Sequence, residues 1–380
     1  MTRQTPSSPR SALAGARSPN GAATLVGYGL GQGTRVAWFL GHYMATRVWF
    51  ARIEPGPNRR PPLRVRLAGA RIQAALGQGA LRLMNRDAAN VRAGLYPLPD
   101  DLRPRAGAVG EMAAYWRDLP KVALRRRLKQ GQETFARSKA ARGQDNRAAD
   151  DGDYPRYYLQ NFHYQSGGWL TEESAELYDT QVEVLFGGLG QAMRRQGVVP
   201  VVDWLRARGS QDGTGFTLLD LATGTGAMLE AVSQAAPGLT LHGLDLSPTY
   251  LERAKRRLPD RTVTWHRAKA EAVPLADDSV DLVTATYLFH ELPKKIRAEV
   301  LAEIRRVLKP GGRFVLTDSL QLGDTPALDP VLQSFPEQFH EPYYADWIAS
   351  DVPALLEAAG LSAAGEREAY LSKVFIADKL

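Results

Sequence analysis

LDLATGTG, residues 219–226, closes a short apolar run, Phe216-Thr-Leu-Leu-Asp220, and opens a helical one, Ala227 to Ala235. A glycine-rich turn between a strand and a helix lets backbone N–H groups approach a ligand closely. Dinucleotide enzymes use a similar turn, so the turn alone does not name the ligand. The next strand, Leu239-Thr-Leu-His-Gly-Leu-Asp245, also ends in an acid, 25 residues after Asp220. A carboxylate there can accept both ribose hydroxyls of a nucleoside. The first loop lacks the third, later glycine of the dinucleotide fingerprint, and an acid stands just before it. That acid would repel a pyrophosphate but can face an ammonium group, which favours a cofactor carrying a cationic amino acid. From Phe216 onward strand and helix patterns alternate, which predicts an α/β fold with a parallel sheet covered by helices.

Five pieces stand in one order: LDLATGTG (219–226), GLDLSP (243–248), AEAVPLADDSVDLV (270–283), YLFHEL (287–292) and RVLKPGGRFVLTD (306–318). With them residues 178–380 resemble a class I S-adenosylmethionine (SAM)-dependent methyltransferase, similar to the ubiquinone/menaquinone-biosynthesis and related small-molecule enzymes. The resemblance implies a Rossmann-like fold with a seven-stranded, mostly parallel sheet, and SAM as cofactor. It implies that Asp220, Ala222, Gly224 and Gly226 surround the methionine part and that Asp245 binds the ribose with Leu246 beside the adenine. Ala270 and Glu271 would line the adenine edge. Ala222 stands where many relatives have Gly. Lys269 stands where many have Asp or Asn, and an ammonium cannot accept from the adenine amino group. Tyr178-Asp179 resembles a pair that closes over the cofactor carboxylate; the alternative is an aromatic in the helix core.

Methyl transfer needs alignment, exclusion of water and, for some acceptors, a base. His290 and His340 are the candidate bases, His290 beside Glu291. A structural histidine is the alternative for His290. Two aromatic stretches, Tyr154–Trp169 and Phe335–Tyr344, are expected to close over the acceptor, with His163, Tyr164, Glu341, Tyr343 and Tyr344 as candidate contacts. Such a pocket suits a flat or lipid-like small molecule, and the resemblance implies one of quinone or isoprenoid kind. The His and Glu residues lack metal-ligand spacing, so no metal is expected.

The chain has 380 residues and no cysteine, which removes disulfides, thiolate zinc sites and a cysteine nucleophile. Residues 1–150 carry 26 Lys+Arg against 9 Asp+Glu, and residues 151–380 carry 22 against 32. Residues 1–86 hold thirteen Arg and one acid, Glu54. Such a segment is either a solvated tail or a partner for an anionic surface. The expected organisation is a basic, partly disordered segment (1–62), a helical accessory region (63–153), lid and capping helices (154–215) and the SAM-binding domain (216–380). Residues 54–62 and 143–153 read as linkers, and 171–195 as one helix. Residues 1–22 lack the apolar core and cleavage site of a secretory signal. Val36–Phe50 is too short and interrupted for a membrane span, and suits an interfacial helix or one buried against the protein. Together these give a cytoplasmic protein, with peripheral membrane contact through the basic N-terminus left open. The N-terminal 150 residues are then expected to be dispensable for SAM binding. An RNA or protein methyltransferase, less expected because strand four lacks the Asn/Asp-Pro-Pro-aromatic turn, and a non-catalytic SAM-binding adaptor are the alternatives.

Overall fold

A computed structural model describes residues 21–53, 63–103, 105–131, 134, 154–165 and 167–380. The expected disordered start and both expected linkers lie outside these residues, save for Gly21 and Ala22, which begin a helix. A seven-stranded sheet has the order β3-β2-β1-β4-β5-β7-β6. Its strands are β1 (Thr217–Leu221), β2 (Thr240–Asp245), β3 (Val263–Arg267), β4 (Val280–Thr286), β5 (Leu308–Ser319), β6 (Ser362–Ala369) and β7 (Ser372–Asp378). The first five are parallel, and β7 runs antiparallel between β5 and β6. The chain leaves β1 toward β2 on one side and later returns to β4 on the other. This switch opens a crevice beyond the carboxyl ends of β1 and β4.

Alternation along the strands makes two core layers. Leu219, Val283, Phe314 and Phe375 pack with Val300 and Ile304 of the helix Lys294–Val307. Leu218, Leu282, Val315 and Val374 pack on the other face with Val198 to Leu205 of the helix Val198–Ala207 and Leu229 of the helix Ala227–Ala235. Successive strand residues point to opposite faces, so a sheet covered on both sides reads as a continuous apolar run.

The N-terminal half joins this body through helices α1 (Gly21–Ile53), α2 (Leu63–Arg92) and α3 (Ala108–Arg127). The expected 171–195 helix is two, α4 (Glu172–Leu185) and α5 (Gly190–Arg195). Gly187 and Gly188 break it with φ of 58° and 82°. The chain of α1 lies so close to Gly188 that a Cβ there would sit 2.9 Å from the Arg35 carbonyl oxygen. A buried network clamps the two halves together. Asp87 of α2 accepts from Tyr28, Tyr96 and the Arg195 guanidinium, which also meets Asp101 at 2.7 Å. Arg35 of α1 pairs with Glu183 of α4 at 3.0 Å. Residues 21–53 are thus one helix packed on the body. No helix among the described residues is long and apolar enough to cross a membrane.

Candidate active site

The carboxyl ends of β1, β2 and β4 border a cleft of about 990 Å³, a figure that includes open solvent. Its floor is the turn after β1. Ala222 and Gly224 both adopt the left-handed conformation, with φ of 53° and 55°. Glycine adopts it freely and alanine at a cost. The Thr223 N–H donates to the Leu244 carbonyl at 2.8 Å and ties the turn to β2.

Asp220 is buried, and its two oxygens accept from Thr223 at 2.6 Å and Thr284 at 2.7 Å. Burial raises its carboxyl to about 6, against the lowering by those two hydroxyls. Asp245 also stands at about 6, raised by burial against the lowering by the backbone N–H groups of Ser247 and Gly224, each at 2.8 Å. Each carboxylate oxygen of Asp245 thus accepts from the backbone, and the group retains lone pairs that can accept from a hydroxyl. Leu246, Lys269 and Ala270 line the cleft beyond it. Arg194, on α5, lines the opposite side, buried, with its Nη1 lacking a hydrogen-bond partner among the described residues. A buried guanidinium N–H left unmatched is set to receive an anionic group. One acid for an ammonium, one arginine for a carboxylate and one acid for a ribose fit the chemistry of SAM. Tyr178 lines the cleft and packs on Trp169 and Tyr250. Its neighbour Asp179 bonds Thr225 and Arg257. Burial raises the Asp179 carboxyl, but Arg257 and Arg194 outweigh that and hold it below its usual range.

The acceptor side differs from the expectation. Strand β4 ends at Thr286, and Phe289–Glu291 form one turn of 3₁₀ helix. That turn aims Glu291, not His290, into the cleft. His290 lies behind it with Nδ1 2.8 Å from Asp318 Oδ1 and Nε2 3.9 Å from Glu291 Oε1. Burial disfavours its cation, but Asp318 prevails and the ring rises to about 9. An imidazole already protonated at neutral pH is a poor base there, which argues against the base role expected for His290. Burial pushes the Glu291 carboxyl up to about 8, although the His290 cation pulls it down.

Tyr157, Tyr158, Phe162 and Trp169 form one wall of the cleft. The 335–344 segment does not line it but packs behind that wall. The geometry argues likewise against His340: its Nε2 meets Gln160 Oε1 at 3.2 Å, away from the cleft. Tyr164 packs against His340, and His163 Nε2 lies 3.4 Å from the buried Glu341. Burial drives both to their neutral forms, taking the His163 ring down to about 3 and the Glu341 carboxyl well up. Tyr344 packs on His290, and the Tyr343 carbonyl accepts from Arg297. None of these five is a lining residue. Glu271 also turns away, accepting from Tyr157 at 2.6 Å, and Gly226 supports the turn from behind. Arg194 and Glu291 were missed as site residues. For Arg194 the sequence carried no signal beyond a basic pair at a helix end. Glu291 was visible only as the neighbour of His290.

The Methyltransferase domain family matches residues 219–316. The ubiquinone/menaquinone biosynthesis C-methyltransferase UbiE of Desulfotalea psychrophila is 32% identical over 186 residues, 48% of this chain and 69% of that protein. The UbiE of Methylobacterium nodulans is 30% identical over 200 residues, 52% and 69% of the two chains. The demethylmenaquinone methyltransferase of Thermotoga maritima is 30% identical over 179 residues, 47% and 69%. Shared sequence over two thirds of these enzymes, joined to the paired acids at the switch of the sheet, establishes the cofactor and the reaction class: the chain belongs to the class I SAM-dependent methyltransferases.

Proposed function

We propose that this enzyme methylates a flat, lipid-like small molecule of quinone or isoprenoid kind. The observation that carries the reading is the composition of the cleft lining. Tyr157, Tyr158, Phe162 and Trp169 offer an aromatic wall, and Glu291 is the acid facing them. Aromatic rings bury a flat apolar ligand and keep water from the reacting atoms. The relatives named for ubiquinone and menaquinone biosynthesis point to the same acceptor class. Bound SAM supplies an electrophilic methyl group.

The chain's own residues do the rest. Asp245 orients the ribose, while Asp220 and Arg194 hold the amino-acid end, so the cofactor has one pose. Asp318 holds His290, and the His290 cation lowers the Glu291 carboxyl toward the physiological range. Glu291 then takes a proton from an acidic O–H or C–H of the acceptor.

The test pairs calorimetry with labelled methyl transfer. SAM should bind wild type, and Asp245→Ala or Arg194→Ala should weaken it about 10- to 100-fold, the loss of one or two charged hydrogen bonds. Label from methyl-tritiated SAM should enter a demethylated naphthoquinol rather than RNA or protein. Binding of NAD in place of SAM sinks the site assignment. Label found only in macromolecules sinks the acceptor class.

A further inference from the structure

Helix α1 has two apolar faces, and among the described residues only one is covered. The inner face carries Tyr28, Gln32, Arg35, Phe39, Tyr43 and Thr46, which pack or bond to the body. At about 100° per residue the opposite face carries Val26, Leu30, Gly33, Ala37, Met44 and Val48. Val26 is 61% exposed, Leu30 69%, Met44 51% and Val48 51%. This stripe runs about 33 Å along the helix at 1.5 Å per residue. No charged residue interrupts it between Val26 and Val48. Exposed apolar stripes of this length on a water-soluble surface mark a contact site.

The charges around it select the partner. Helices α1 and α2 lie against each other, with Tyr28 bonding Asp87 and Val36 packing near Leu83. Together they expose Arg47, Arg52, Arg66, Arg71, Arg82 and Arg92. Their one acid, Asp87, is fully buried in its clamp with Arg195. A layer with exposed arginines, no exposed carboxylate among its described residues and an apolar stripe complements an anionic lipid surface: apolar side chains enter below the headgroups and arginines meet the phosphates. A second copy of the same layer would bring arginine against arginine, and RNA has no use for the apolar stripe.

We propose that the outer face of α1 lies in the surface of an anionic bilayer, parallel to it. The inner face of the same helix holds α4 and α5 through Glu183 and the Gly188 carbonyl, and those helices carry Tyr178 and Arg194 of the cleft. Docking therefore sets the cleft one helix layer from the lipid. The proposal goes beyond the methyl-transfer reading and stands without it.

The full-length protein is floated with vesicles of phosphatidylcholine, with and without phosphatidylglycerol. Wild type should float with the anionic vesicles and far less with the neutral ones. Leu30→Glu/Met44→Glu should cut the vesicle partition coefficient at least about tenfold, because the apolar face no longer enters the interface. Arg47→Ala/Arg52→Ala should reduce the preference for phosphatidylglycerol. Both positions of the first pair are exposed, and unchanged SAM calorimetry and thermal melting certify the fold; Val48→Glu is a second, single-site probe of the stripe. Wild type that fails to float, or variants of the stripe that float like wild type, overturns the proposal. So does a wild-type dimer that Leu30→Glu/Met44→Glu converts to monomer without any vesicle binding, or capture by polyuridylate in preference to vesicles. Because SAM affinity is read separately, failure here leaves the methyl-transfer reading intact, and the reverse holds.

Discussion

At the scale of the residue, the chemistry turns on which of two neighbours faces the cleft. His290 and Glu291 are adjacent, yet the 3₁₀ turn sends Glu291 inward and leaves His290 on Asp318. The carboxyl of Glu291, raised to about 8, is neutral below that pH and becomes a base above it. Turnover should therefore rise with pH through about 8, and Glu291→Gln should remove that rise and lower kcat about 10²- to 10⁴-fold, the usual worth of a general base. SAM affinity should stay near wild type. The His290 cation lowers the Glu291 carboxyl. His290→Gln should therefore move the limb to higher pH rather than abolish it. A pH–rate profile on the three proteins decides the matter: an unchanged profile in Glu291→Gln removes Glu291 as the base, and loss of the limb in His290→Gln restores the histidine.

At the scale of the element, the turn after β1 shows how a helix start is tuned. Gly226 caps the helix Ala227–Ala235 at φ 79°, and a Cβ there would lie 3.1 Å from the Ala254 Cβ. Gly224, at φ 55°, has nothing within 4 Å of that position. Gly226→Ala combines backbone strain with a clash against the neighbouring helix Pro248–Arg257 and should cost about 2–4 kcal/mol. Gly224→Ala carries only the backbone strain and should cost about 1–2 kcal/mol. Urea unfolding of both variants measures the difference; equal losses would show that the clash relaxes away. Sequence pattern located these elements because a strand ending in acid before glycines has few physical alternatives. It failed at 171–195, where helical periodicity runs on through Phe186 while Gly187 and Gly188 turn the chain to admit α1. The reason for that break lies 150 residues away in sequence, at Arg35 and Val36.

At the scale of the whole molecule, the N-terminal helices are part of the cofactor site's frame. The Asp87 carboxylate holds Arg195, the residue after Arg194, and also Tyr28 and Tyr96. The expectation that residues 1–150 are dispensable for SAM binding is at odds with this clamp. Asp87→Ala strands a buried guanidinium with Asp101 as its remaining acid and should destabilise the protein by about 3–5 kcal/mol. It should also weaken SAM binding, because α5 carries Arg194. Denaturation and calorimetry on the same variant test both. Normal stability with normal SAM affinity would make the N-terminal layer an independent appendage.

The placement of Asp220, Asp245 and the glycine turn at the cleft was legible in the sequence because it depends on local backbone. A strand end, a turn conformation and a spacing of 25 residues can all be read along one line. So could the alternation that gives a parallel sheet. The facing of Glu291, the retreat of His340 and Glu341 behind the aromatic wall, and the unmatched guanidinium of Arg194 could not. Each depends on which distant segment packs beside it: Asp318 for His290, Gln160 for His340, and the α1–α2 layer for the helix that carries Arg194. Composition likewise showed a basic N-terminus but not its shape. Burial of one face of α1 against the body, with Asp87 drawn inward, is what leaves an apolar stripe among arginines on the outside, because tertiary packing alone decides which side of a helix meets solvent.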